Sequence, residues 1–101
     1  MKIIIVTPSL EPNDAVSNDV LEQREHLIFA NYQVEIFSEF CHTTIQPLLA
    51  KKEDVALWIL ETDNILLYHH SVYWKIGEIL FQMSRCKILL KYHNITPYFF
   101  Y

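Results

Sequence analysis

Two stretches carry side chains that could do chemistry. Ile65-Leu66-Leu67-Tyr68 runs straight into His69-His70-Ser71, and Ile88-Leu89-Leu90, within Lys87 to Tyr92, runs into His93-Asn94. Imidazole titrates near neutrality and can give or accept a proton or a hydrogen bond. Uninterrupted apolar runs of roughly four to eight residues, bounded by polar ones, suit strands buried on both faces of a parallel sheet. In such open sheets, ligands sit just outside the carboxyl ends of the strands. The spacing predicts two histidine-tipped strands, with imidazoles where a ligand would bind. Adjacent strand residues point to opposite faces, so only one of His69 and His70 serves a given cleft. His70 is expected to pack or cap near Ser71.

The elements that must position these side chains follow from periodicity. Lys2 to Val6 reads as a first strand, stopped by Thr7-Pro8 because proline cannot donate to a ladder. Ser9 to Asp14 is a loop of turn formers. Val16, Val20, Leu27 and Ile28, with Leu21 alongside, then share a helical face. Asp14 or Ser17 is expected to cap that helix, and Asp19 and Glu22 to favour its positive end. Asn31 suits a left-handed helix stop, and Gln33 to Ser38 alternates as strand two. Cys41 to Thr44 reads as a short strand or a loop, and Ile45 to Ala50 as a helical turn. Glu53 to Glu61 suits a helix, with a strand as the alternative. A third helix carries Val72, Ile76, Ile79, Leu80 and Met83, capped by Ser71. Its Gly77, the only glycine of the chain, costs about 1 kcal/mol against alanine, for which close packing on a sheet is a reason. Alternating strands and helices argue for an α/β fold with a parallel sheet.

Composition narrows the function classes. The 101 residues allow one small domain, 51% hydrophobic and 14% aromatic, with ample core material. A net charge of -4, with no lysine or arginine block, argues against nucleic acid as partner. Cys41 and Cys86 stand alone with no CxxC, so reduced thiols are expected rather than zinc or a disulfide framework. Metal binding needs three or four converging ligands, which no spacing suggests. Met1-Lys2 precedes only four apolar residues, too few for a signal peptide, and no run reaches the ~18 of a spanning helix. The expected location is cytoplasmic, with peripheral membrane contact left open. The tail Pro97-Tyr98-Phe99-Phe100-Tyr101 would be a liability if exposed, and the chain reads as cut there.

Asp14-Ala15-Val16-Ser17-Asn18-Asp19-Val20, Tyr68-His69, and Lys87-Ile88-Leu89 through Tyr92-His93-Asn94-Ile95-Thr96-Pro97 together resemble the N-terminal domain of retaining GT-B glycosyltransferases. The closest likeness is to the bacterial group 1 transferases of surface-polysaccharide assembly. It spans nearly the whole chain, but only the first part of such an enzyme. The resemblance implies a Rossmann-like parallel sheet with flanking helices, incomplete as a GT-B fold. It further implies that His69 and His93 are catalytic residues near the transferred sugar, and that Asp14, Ser17, Asn18 and Asn94 contact the acceptor. The nucleotide-sugar donor would sit on a second domain, with two glutamates eight apart, absent from this chain. No metal or cofactor is implied, and the chain alone is expected to lack turnover. Relatives commonly have glycine where this chain has Asn13. Asparagine tolerates positive φ, so the turn can form, while close approach of phosphate to this backbone is put in doubt.

Blander readings stand beside these. Asp14 and Ser17 serve equally as helix caps, His93 as a turn residue and Asn94 as a cap. Trp58 and Trp74 are expected to fill or cover core, and His26 and His42 have no assigned role. A free-standing Rossmann-like binding module and a domain that homodimerises through its aromatic tail are the competing functions.

Overall fold

The computed structural model describes residues 1–70 and 73–92. Its elements are β1 (Lys2–Leu10), α1 (Ala15–Phe29), β2 (Gln33–Cys41), a 3-10 turn (Gln46–Leu48), α2 (Lys52–Trp58), β3 (Ile65–His70), α3 (Lys75–Met83) and β4 (Lys87–Tyr92). The strands form one sheet in the order β2-β1-β3-β4, with every pairing parallel. The chain is thus α/β, with a Rossmann-like parallel sheet.

Period-two alternation divides the core between the two faces of the sheet. Ile3, Ile5 and Ile36 meet Val20 of α1 and Ile45 on one face. Ile4, Val6, Phe37, Leu66 and Tyr68 meet Val55 and Ile59 behind α2, and Trp74 and Leu80 at α3, on the other. Gly77 is where α3 comes closest: a Cβ there would strike the Tyr68 hydroxyl and lie 2.5 Å from Trp74 Cε3. Trp74 is buried and donates to Glu39 Oε1 at 2.8 Å, whereas half-buried Trp58 covers core beneath Lys2. Asn13 and Asn31 both adopt positive φ, 63° and 69°, as their side chains allow.

Several boundaries differ from expectation. β1 continues through Thr7-Pro8 to Leu10, because its pairing with β3 ends at Val6 and Tyr68. Pro8 therefore lies beyond the doubly paired part of the strand, where a missing N–H is tolerated. β2 likewise extends to Cys41, pairing with Leu10. Asp19 and Glu22 lie past the first turn of α1, which holds no acidic residue, so they do not complement the helix dipole. Ile28 is 39% exposed, and buried Ser17 takes a place on the inner face. α3 starts at Lys75 with Trp74 at its cap position; Ser71 and Val72 lie outside the described residues. On α3, Leu80 is buried while Ile79 and Met83 are exposed, so its apolar stripe is wider than the sheet it covers. Among the described residues, no helix is long and apolar enough to cross a membrane.

Candidate functional site

The strand order reverses direction between β1 and β3: β2 lies to one side of β1, and β3 and β4 to the other. Such a switch point opens a crevice at the carboxyl ends of the two central strands, where open α/β sheets hold ligands. Register decides which side chains meet there. Thr7 pairs with Ser38 of β2, and His69 with Lys91 of β4. One step beyond the last β1–β3 pair, Val6 and Tyr68, the register brings Thr7 beside His69. All four share the face of Ile3, Ile5 and Ile36, the α1 side. Ser38, Thr7, His69 and Lys91 thus form a polar row across the whole sheet.

Helix α1 lies over this row. His69 has no exposed surface, and its Nε2 meets Gln23 Oε1 at 2.6 Å. Since an amide oxygen only accepts, Nε2 carries the proton, and Nδ1 faces Asp19 Oδ2 at 4.0 Å. The same Asp19 Oδ2 holds Lys91 Nζ at 2.6 Å, tying α1 to β4. Ser38 Oγ is engaged with the carbonyls of Phe40 at 2.6 Å and Pro8 at 3.2 Å. Thr7 Oγ1 is different. The residue is 1% exposed and its hydroxyl has no hydrogen-bond partner among the described residues. A buried orphan hydroxyl costs about 1–3 kcal/mol, which marks this as a place where stability has been given up. Beside the row, a groove of about 240 Å³ is lined by Asp19, Glu22, Gln23, His26, Leu27 and Lys91. Carboxylate, amide, imidazole and ammonium side by side suit a ligand rich in hydroxyls rather than one of a single charge.

The expected site residues separate under this geometry. His69 is not at an open cleft; it lies beneath α1 and reaches the groove through Gln23 and Asp19. Asp14 is the N-cap of α1, its Oδ2 accepting from Ser17 N and Ser17 Oγ, both at 2.9 Å. Buried Ser17 in turn accepts from Glu11 N at 2.9 Å, so both side chains are occupied in fixing the helix start. Because a carboxylate already occupies that helix end, an anionic ligand is disfavoured there. Asn18 is exposed one turn on. His93 and Asn94 lie outside the described residues, although β4, which leads to them, is the neighbour of β3. His70 sits on the opposite face, its ring tilted against Tyr68 at 5.9 Å between centroids.

Burial pushes the thiols of Cys41 and Cys86 up, with the Glu11 charge adding to the shift at Cys41. Both are free and poor nucleophiles. Among the described residues, no three His, Cys, Asp or Glu side chains converge as metal ligands.

Thr7, Ser38, Gln23 and Lys91 were not expected in this site. The signal for the first two was the period-two series Ile3-Ile5-Thr7 and Val34-Ile36-Ser38, masked by the proline after Thr7. Comparison with protein-family models, with curated proteins and with solved structures returned no match.

Proposed function

We propose that this chain is the acceptor-side domain of a glycosyltransferase, recognising a glycan or lipid-linked sugar in surface-polysaccharide assembly and lacking turnover alone. The observation that carries the reading is the polar row at the β1/β3 switch point, with the Thr7 hydroxyl unpartnered among the described residues and an oriented imidazole at His69. A sugar hydroxyl both donates and accepts, so it can meet carboxylate, amide and ammonium groups at once. The neighbouring groove offers these groups on Asp19, Gln23 and Lys91. In glycosyl transfer the protein contributes mainly position and donors aimed at the developing charge. His69 and His93 are the residues to which the family resemblance gives those roles, with the nucleotide-sugar brought by another domain. A dimer through the aromatic tail and contact with a membrane surface are compatible with this reading.

The test is an NMR titration of the chain with simple glycosides and, separately, with nucleotide-sugars. Glycosides are expected to shift the amides of Thr7, Gln23, His69 and Lys91. Nucleotide-sugars should shift none of them, and no sugar should be transferred. Asn18→Ala should weaken glycoside binding without changing Tm, since that side chain is exposed. Saturable nucleotide-sugar binding without any response to glycosides would sink the assignment and favour a nucleotide-binding module.

A further inference from the structure

A second concavity lies on the other face of the sheet. Tyr68 and His70 of β3, Leu90 of β4, and Glu78 and Phe81 of α3 enclose about 260 Å³ at the carboxyl end of the sheet. This is just under the usual size of small-molecule pockets, about 300 Å³ upward. Its walls are aromatic and its one acidic group is Glu78. The position of Tyr68 is built in, because the glycine at 77 lets its hydroxyl rest against the α3 backbone.

Glu78 is held but not neutralised. Gln82 Nε2 approaches its Oε1 at 3.5 Å, and the proximity of this carboxylate pushes the Tyr73 phenol up. Among the described residues, the ion pairs involve other carboxylates, and no lysine or arginine lies within 4.0 Å of Glu78. Aromatic rings attract a cation through their faces, and an unneutralised carboxylate at the rim repels anions. With Glu78 the one carboxylate of the lining and His70 its one imidazole, the pocket favours a positively charged ligand.

We propose that this pocket binds a small organic cation, an ammonium carried on a compact apolar body. The apolar part lies against Phe81 and Leu90, and the ammonium faces Glu78 across the Tyr68 ring. This site is independent of the polar row, which lies on the opposite face.

Benzylammonium and benzyl alcohol share one body and differ in charge, so they make the discriminating probes. NMR shifts at Leu90 and Phe81, with Trp74 fluorescence as a second reporter (its ring is 6.0 Å from Tyr68), follow binding. Benzylammonium is expected to bind saturably and benzyl alcohol up to about fivefold more weakly, the upper end of what one exposed ion pair contributes. Glu78→Gln, at an exposed position, should remove that preference while far-UV circular dichroism stays unchanged. Phe81→Ala should weaken both probes. Equal binding of the two probes, a preference that survives Glu78→Gln, or no saturable shift would each overturn the proposal.

Discussion

Thr7→Val replaces one hydroxyl by a methyl at the most telling position of the sheet. Both residues are β-branched and suit a strand, so the backbone has no reason to change. The wild-type hydroxyl is buried at 1% exposure with no partner among the described residues. Its burial costs about 1–3 kcal/mol, and the variant recovers that cost while burying an extra methyl. Neighbours on the same face lose nothing, since Ser38 Oγ bonds carbonyls and His69 Nε2 bonds Gln23. The expected gain is about 1 kcal/mol, or roughly 4–8 °C in Tm for a chain of this size. Urea unfolding read by tryptophan fluorescence should show a higher midpoint with an unchanged slope. Thr7→Ser, which keeps the hydroxyl and deletes a methyl, should lose about 1 kcal/mol. If the hydroxyl is kept for a sugar, Thr7→Val gains stability and loses glycoside affinity together. A destabilised Thr7→Val with unchanged slope would show that the hydroxyl has a partner and refute the reasoning.

Three other perturbations test the frame around the site. Asp14→Ala removes the acceptor of two bonds from Ser17 and should cost about 1 kcal/mol in urea unfolding, as N-cap losses do. Gly77→Ala gains about 1 kcal/mol of helix propensity but drives a Cβ into Tyr68 and Trp74, where overpacking costs about 1–3 kcal/mol; a lower Tm is expected, with Trp74 emission shifted. Tyr68 has its phenol pushed up, first by burial and then by Glu78 and Tyr73. Unfolded tyrosine ionises near pH 10, so above that pH the unfolded chain releases a proton that the folded chain keeps. Stability then falls as pH rises, and Tyr68→Phe should flatten that fall in alkaline urea titrations.

The fold was largely legible because its signals are local. Ile65 to Tyr68 and Ile88 to Leu90 are apolar runs that suit strands, and alternating strands and helices favour a parallel sheet. Burial on both faces was not borne out for β4, an edge strand whose Leu89 and Leu90 are each 46% exposed. Asn31 at positive φ and Gly77 under the tyrosine were readable for the same reason: each is a residue type suited to one backbone demand. What stayed hidden was set by register. Whether Thr7 ends a strand depends on whether β3 still pairs with it, and the sequence of β1 does not hold that fact. The ladder with β3 stops at Val6, so proline becomes harmless and the strand continues. In the sequence, Asp19 suggests only a complement to the helix dipole and Gln23 suggests no role, because neither shows its part until α1 is laid over His69.

His69 shows how far position alone can carry a functional argument. Its place at the tip of a central strand was correctly read, yet a strand tip supplies a location and not an exposure. With Gln23 on Nε2 and Asp19 on the Nδ1 side, the ring is flanked by an amide oxygen and a carboxylate. Two acceptors flanking one imidazole orient it firmly. Lys91 holds the same carboxylate from the other side. Asp19 is thus shared between a buried ring and a half-exposed ammonium, and Asp19→Asn would remove the charge that both face. A ligand hydroxyl that displaced Lys91 from Asp19 would therefore act on His69 without touching it. Under this geometry the groove and the buried histidine are joined through Asp19 and Gln23 of α1.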